Sequence, residues 1–292
     1  MPARLSIEFE LRDASSILDR AGILNPKREA IAIWASLSGA QPGDVWLRRE
    51  DEAPERESKR FREAVHRRAS GEPLPYVVGT TGFRKLDLKV DRRALIPRPE
   101  TEGLVERVLE RCSRVTSGRV GSWGVAVDVG TGTGCIALSL AVEGNFRRVL
   151  ATDNSKAALD LAAENIELVA AETPVEALRG SLLDPIGETV ADVIVSNPPY
   201  VTTSEYDMLE SGVSSFEPRN ALVSGEDGLS HTRELLESAL DRLVPGGLIA
   251  IEVDSTRAEM AQDLACRLGW PNARVEADLF GRPRFLLATK ET

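Results

Sequence analysis

Residues 197–200 read Asn-Pro-Pro-Tyr, directly after the apolar run Ala191–Ser196. A planar NH2 nitrogen, on an amide or on a nucleobase, has a delocalised lone pair and is a poor nucleophile, yet it carries two hydrogens that need acceptors. Asn197 offers its side-chain carbonyl and Pro198 its backbone carbonyl, while Pro198 and Pro199 stiffen the turn. Two acceptors on one nitrogen would aim it at an electrophilic methyl group and offset the positive charge that builds as the N–C bond forms. No general base is required before attack. Tyr200 would supply a flat face for the planar substrate group.

A second constellation precedes it in the chain. Asp128-Val-Gly130-Thr131-Gly132-Thr133-Gly134 ends an apolar run and opens a helical pattern, the place where an open α/β sheet puts its ligand. Glycines there let the backbone turn tightly and approach a ligand closely. Asp153 follows Gly130 by 23 residues, at the end of the next strand pattern, where its carboxylate would accept hydrogen bonds from both ribose hydroxyls. The glycines read G-x-G-x-G, and Cys135 stands where the dinucleotide pattern G-x-G-x-x-G has its last glycine. A nucleoside cofactor and NAD are the two ligands such a junction would take.

Strands alternating with helices must carry these motifs. Beyond Pro99, hydrophobic periodicity predicts helices over Glu102–Cys112, Cys135–Val142, Lys156–Ala170, Leu229–Leu243 and Ala258–Leu268. Strands are expected at Val125–Val129, Arg148–Thr152, Ala191–Ser196, Leu248–Val253 and Ala273–Ala277, which makes an α/β fold with a mostly parallel sheet covered on both faces.

Before Pro99 the pattern differs. Residues 1–75 form a small helical domain: apolar positions Ile17, Leu18, Ala21 and Leu24 follow Asp13, Asn25-Pro26 serves as N-cap and first helical residue, and Phe61, Ala64, Val65 and Ala69 mark a further helix. Gly71 to Pro75 stops that helix. Residues 76–97 alternate as a β-hairpin linker with its turn at Gly79-Thr-Thr-Gly82, and 98–292 form the α/β domain. Arg56 to Arg68 holds six Lys/Arg against two acids, either a solvated helix face or a basic face for a partner.

Composition excludes other classes. Thirty-six Lys and Arg against 46 Asp and Glu leave a net charge of −10, all of it beyond residue 75 because the first 75 residues hold 13 of each sign. Such a chain is poorly suited to embracing nucleic acid over its whole surface, so no stable nucleic-acid complex is expected. No apolar run approaches the ~20 residues of a membrane span, and no secretory signal is expected. Three scattered cysteines and two histidines, His66 and His231, lack metal-site spacing, so no metal is expected. His231 reads as a first-turn surface residue and Cys135 as an inert packed thiol.

Asp128 with the glycine run resembles the first motif of class I S-adenosylmethionine-dependent methyltransferases, and Asn-Pro-Pro-Tyr is shared by N-directed methyltransferases acting on adenine, cytosine or glutamine. Gly71-Glu-Pro-Leu-Pro-Tyr76, Ile96-Pro-Arg-Pro-Glu-Thr-Glu102, Phe216-Glu-Pro-Arg-Asn-Ala-Leu222, Val244-Pro-Gly-Gly247 and Gly281-Arg-Pro-Arg284 closely resemble the peptide chain release factor N5-glutamine methyltransferases, the PrmC/HemK family. That resemblance implies a Rossmann-like, seven-stranded methyltransferase domain. It also implies S-adenosylmethionine as cofactor and the glutamine of the Gly-Gly-Gln motif of class I release factors as substrate. Gly130, Thr131, Gly132, Thr133 and Gly134 would surround the methionine part of the cofactor and Asp153 the ribose. Leu182 stands beside the adenine position, Asn197 would also touch the cofactor, and Asn197, Pro198, Pro199 and Tyr200 would bind the glutamine. The helical domain and hairpin would grip the release factor, and the protein would be a cytoplasmic monomer.

The chain departs from the pattern at Ser181, where an acidic residue is usual, and at Glu252-Val-Asp254, where Glu-x-Gly is common. Rival substrates are a ribosomal-protein glutamine and a DNA adenine; the second would demand phosphate-binding surface to extract its base. A non-catalytic cofactor-binding module docking through Arg56–Arg68 is the third alternative. Glu217-Pro218 either orders a loop over the substrate or shapes it.

Overall fold

The computed structural model describes residues 5–115, 123–209 and 211–291. They divide into two compact units, Met1–Thr80 with Glu210–Phe216, and Thr81–Leu209 with Glu217–Thr292.

The smaller unit is built from helices α1 (Ile7–Arg20), α2 (Pro26–Ser38), α3 (Pro42–Leu47), α4 (Glu55–Ala69) and α5 (Leu74–Val78). Ile7, Leu11, Ala14 and Leu18 recur at helical spacing and bury one face of α1 against Ile33 and Trp34 of α2 and Phe61 and Val65 of α4. The Trp34 and Phe61 rings meet edge-on, 4.9 Å between centroids. Helix α1 starts at Ser6, whose hydroxyl accepts from the Phe9 N–H, earlier than the pattern around Asp13 suggested. Asn25 is not a side-chain cap. It adopts the left-handed conformation (φ 58°) and makes no cap hydrogen bond, so Pro26 alone carries the start signal of α2. The basic helix is partly neutralised within its own unit: Arg62 pairs with buried Glu10, Arg67 with Glu72 at 2.7 Å and Arg68 with Glu29 at 2.6 Å. Arg56, Lys59 and Arg60 stay exposed.

A hairpin of β1 (Thr80–Phe83) and β2 (Leu86–Lys89) follows. Its turn lies at Arg84-Lys85, not at Gly79–Gly82, because Gly79 (φ 80°) terminates α5 and leaves Thr80 to Gly82 in a strand. Arg84 itself takes φ 52°, held by its N–H on Glu102 and its guanidinium on Glu143 and Glu106. Phe83, Leu86 and Leu88 are buried as their alternation suggested.

The α/β unit continues through α6 (Pro99–Val115), β3 (Trp123–Val129), α7 (Cys135–Glu143), β4 (Phe146–Asp153), α8 (Lys156–Val169), β5 (Val175–Arg179) and β6 (Ala191–Ser196). The short helix α9 (Thr203–Tyr206) follows, then α10 (Ser211–Ser214), which belongs to the smaller unit, and the α/β unit resumes with α11 (Ser230–Arg242), β7 (Leu243–Glu252), α12 (Ala258–Arg267), β8 (Arg274–Ala277) and β9 (Pro283–Thr289). Seven strands lie in the order β5-β4-β3-β6-β7-β9-β8, parallel except β9, which runs against β7 and β8. Two apolar cores cover the two faces, one around Leu138, Leu140 and Val193, the other around Ile194, Leu235 and Trp270. Helix α6 lies close to β9 because Gly103 has no Cβ; one placed there would sit 2.8 Å from the Phe285 ring.

This order fixes the site. The chain leaves β3 for β4 on one side and reaches β6 on the other, so a crevice opens beyond the carboxyl ends of β3 and β6, where the chain leaving β3 turns to α7 on one face of the sheet and the chain leaving β6 to α11 on the other. The register sets Val129 opposite Ser196, and the Ser196 hydroxyl donates to the Val129 carbonyl at 2.7 Å.

Candidate functional site

The glycine loop leaves β3 in positive-φ steps, 73° at Gly130, 55° at Gly132 and 84° at Gly134. The Gly130 and Thr131 N–H groups both donate to the Thr152 carbonyl at 2.9 Å, locking the loop to the end of β4. A Cβ at Gly130 would meet nothing within 4 Å, whereas one at Gly134 would press on Leu138 at 3.4 Å; the first glycine faces space and the last faces packing.

Asp153 ends β4. Its Oδ2 accepts from the Gly132 N–H at 3.0 Å and its Oδ1 from the Ser155 N–H at 2.8 Å. Burial raises its carboxyl above the ordinary range against those backbone donors. Each oxygen keeps a lone pair for a further donor. Behind the loop, Asp128 is fully buried. Its Oδ2 takes the Thr131 hydroxyl at 2.6 Å and the Ala137 N–H at 3.0 Å, and its Oδ1 has no partner. Burial pushes this carboxyl up to about 7.

At the end of β6, the Asn197 amide nitrogen donates to the Thr101 hydroxyl at 3.0 Å, and that hydroxyl donates to Glu252 Oε2 at 2.7 Å. Thr101 sits in the first turn of α6 and Glu252 closes β7; both are buried. Desolvation pushes the Glu252 carboxyl up to about 7 against its bond to Thr101 and the charge of Arg284. Arg98 binds both oxygens of buried Glu217 at 2.7 and 2.9 Å, tying the segment before α6 to the loop after α10. Glu217 therefore anchors that loop to Arg98. The Tyr200 phenol is raised by burial first and by Glu252 second.

One cavity gathers Gly130, Thr131, Thr133, Asp153 and Leu182, together with Asn197, Pro198 and Pro199. Gly132, Gly134 and Tyr200 are not among its lining. Gly132 acts from behind through Asp153, and Gly134 through the start of α7. Leu182 holds φ 44°, with its carbonyl accepting from the Thr152 hydroxyl at 2.8 Å.

His231 differs from its expectation as a surface residue. It is half-buried, lines the cavity, and is held by buried Ser224, whose hydroxyl lies 2.9 Å from its Nδ1 and accepts from its backbone N–H at 3.1 Å. Glu234, one turn on, joins it; nothing in the local pattern of α11 marks either residue. Cys135 is buried and its thiol is pushed up to about 12, so it stays protonated. Among the described residues no group of three His, Cys, Asp or Glu forms a metal-binding cluster, and no helix is long and apolar enough to cross a membrane.

These donors and acceptors suit a nucleoside cofactor. Asp153 offers lone pairs to ribose hydroxyls, and open space lies before Gly130 for the ligand's approach.

Comparison with known proteins extends this from the site to the whole chain. The PrmC N-terminal domain family matches residues 11–79, and the methyltransferase small domain family matches residues 114–213. A release factor glutamine methyltransferase of Moorella thermoacetica is 39% identical over 285 residues, covering 97% of this chain and 98% of the relative. Its counterpart in Deinococcus radiodurans is 37% identical over 287 residues, covering 97% and 99%. A methyltransferase structure from Pyrococcus furiosus shares the fold, with a TM-score of 0.51 at 22% identity over 71% of this chain and 90% of its own. With identity at this level along nearly the full length of its relatives, the chain belongs to the release factor glutamine methyltransferase family.

Proposed function

We propose that this protein transfers a methyl group from S-adenosylmethionine to the side-chain amide nitrogen of the glutamine in the Gly-Gly-Gln motif of class I peptide chain release factors. One observation carries the chemistry: Asn197 and Pro198 line the same cavity as Gly130 and Asp153, so acceptors for an NH2 group and the cofactor's binding groups share one space. Family membership carries the substrate.

S-adenosylmethionine, when bound, supplies a methyl group made electrophilic by its sulfonium. Gly130, Thr131, Gly132, Thr133 and Gly134 form the loop around its amino-acid part, Asp153 takes the ribose hydroxyls, and Leu182 packs beside the adenine. Asn197 Oδ1 and the Pro198 carbonyl accept the two amide hydrogens of the glutamine, which fixes the nitrogen and stabilises the charge it gains on attack. Pro199 and Tyr200 hold the amide plane. As the N–CH3 bond forms the S–CH3 bond breaks, the sulfur departing as the neutral thioether of S-adenosylhomocysteine, and one amide proton passes to water, so the product is a neutral secondary amide.

The helical region 1–75 is the part we assign to gripping the release factor, with the hairpin region 76–97 as linker and 98–292 as the methyltransferase domain. The protein acts as a cytoplasmic monomer without a stable nucleic-acid complex.

The test incubates the purified protein with S-adenosylmethionine and unmethylated release factor and reads the Gly-Gly-Gln peptide by tandem mass spectrometry. One added methyl on that glutamine is expected. Asn197→Ala should lower transfer by roughly a hundredfold or more while leaving cofactor affinity largely intact, as loss of a preorganised hydrogen-bonding partner does. Methyl appearing instead on a ribosomal protein or a DNA oligonucleotide offered in parallel overturns the substrate; undiminished turnover in the variant overturns the role of Asn197.

A further inference from the structure

The Asn197 side chain has two ends of nearly identical shape and opposite chemistry. Only its oxygen can accept a hydrogen from a target NH2 group; its own NH2 would repel one. Shape alone does not decide which end faces the cavity, so something must.

We propose that Thr101 and Glu252 are positioning residues that hold the Asn197 amide with its oxygen turned toward the substrate. The inference rests on the reading of Asn197 as an acceptor for the target nitrogen. Glu252, ionised, can only accept hydrogen bonds, and the Thr101 hydroxyl has a single proton to give. With that hydroxyl 2.7 Å from Glu252 Oε2, the proton is committed to the carboxylate. What Thr101 then offers Asn197 at 3.0 Å is a lone pair, which only the NH2 end of the amide can meet. The reversed amide would set two acceptors against each other. Thr101 is 2% exposed and Glu252 1%, so no water replaces either partner from bulk. Three elements far apart in the chain, β7, α6 and β6, thus pass one hydrogen-bond direction from a buried charge to the edge of the cavity.

The direction depends on the charge of Glu252. Arg284 from β9, 4.0 Å away, and Arg98 before α6 favour the ionised form. Burial and Glu100 oppose it, and Tyr200 after β6 and Cys135 on α7 both feel its charge. A protonated Glu252 can donate to Thr101, whose own proton then swings toward Asn197 and favours the wrong end of the amide. Turnover should therefore fall as Glu252 takes up its proton, with a midpoint near its shifted value of about 7.

Thr101→Val keeps the volume and removes the hydroxyl, while Thr101→Ser keeps the hydroxyl. We expect the valine variant to lose at least about tenfold in kcat with KM for the release factor and cofactor Kd within about twofold, since the loss is one of orientation. Serine should recover kcat to within about threefold of wild type, as an orientation effect requires. The acid limb of kcat near pH 7 should be present in wild type and absent in the valine variant. A valine variant with wild-type kcat overturns the proposal, as does a loss confined to KM or Kd or an equal loss in serine. Asn197→Ala is measured alongside. If it turns over normally, the acceptor reading itself fails; if it is inactive and Thr101→Val is not, only the positioning fails. Should Thr101→Val not fold, the wild-type side-chain amide signal of Asn197, assigned by its absence in Asn197→Ala, should move in 15N spectra with a midpoint near the Glu252 value. A signal constant across that range overturns the proposal.

Discussion

Replacing Asp128 by Asn should make the protein more stable at pH 8 and confer little or no advantage at pH 5. The native carboxyl is fully buried at the end of β3 and raised to about 7, with desolvation as the leading cause and its bonds from Thr131 and Ala137 opposing. An unfolded aspartate titrates at about 3.9. A carboxyl raised in the fold favours the folded state through its neutral form. That contribution is whole below about 3.9 and is lost as pH rises through about 7. Taking 1.36 kcal/mol per pH unit, the ionisation cost grows from roughly 1–2 kcal/mol at pH 5 to about 4 kcal/mol at pH 8. Asparagine accepts the same two hydrogen bonds through its carbonyl and never ionises. Its NH2 takes the place of the unpartnered Oδ1 and costs about 1–2 kcal/mol at every pH. The stability difference between variant and wild type should therefore change by about 3 kcal/mol between pH 5 and pH 8 in favour of asparagine. Urea titrations of the cofactor-free protein would measure it, read by the fluorescence of Trp123 and Trp270, which lie in the α/β unit. Glu252 titrates in the same range but is present in both proteins and drops out of the difference. A difference independent of pH across this range would refute the account of Asp128.

Two further outcomes are expected. Asp153→Ala should weaken S-adenosylmethionine binding by roughly 30-fold or more in calorimetry, the loss of two hydrogen bonds to a carboxylate; unchanged affinity would remove Asp153 from the cofactor's contacts. Arg98→Met should destabilise by about 3 kcal/mol in chemical denaturation, because it strands the Glu217 carboxylate, whose side chain is 2% exposed. Glu217→Gln added to it should recover most of that loss, and an additive pair of single effects would show that the ion pair does not anchor the loop.

The chemistry-bearing motifs were legible because each is local. A glycine run at a strand end and two prolines after an asparagine declare their conformations within seven residues. The sheet was legible where strands are apolar throughout, as in β3 and β6, and not at its two ends. β5 reads Val-Glu-Ala-Leu-Arg and is largely exposed, so neither its run nor its alternation stands out, and β9 begins with Pro283, which suits a chain entering a sheet but weakens the strand pattern. Turn chemistry misled at the hairpin: Gly79 and Gly82 look like a turn, yet the bend falls on Arg84, whose unfavourable φ is held by acids from α6 and α7 that no local window contains.

The partners of Asn197 were hidden for a related reason. Thr101 and Glu252 are 151 residues apart, and each sits in a stretch noted for its sequence pattern, not for its bonding. Glu252 lay one step outside the residues assigned to chemistry, although a carboxylate at the end of a buried parallel strand must find a donor or be neutralised. That requirement is the signal a sequence reader could use. A charge closing an otherwise apolar strand at the crevice end of an α/β sheet has no solvent to rely on, so its partner must come from a neighbouring element at the same edge. Here the partner is a threonine in the first turn of a helix. Having given its only proton, that threonine can address the next group in the chain of bonds solely as an acceptor, and a buried carboxylate thereby dictates the orientation of an amide it does not touch.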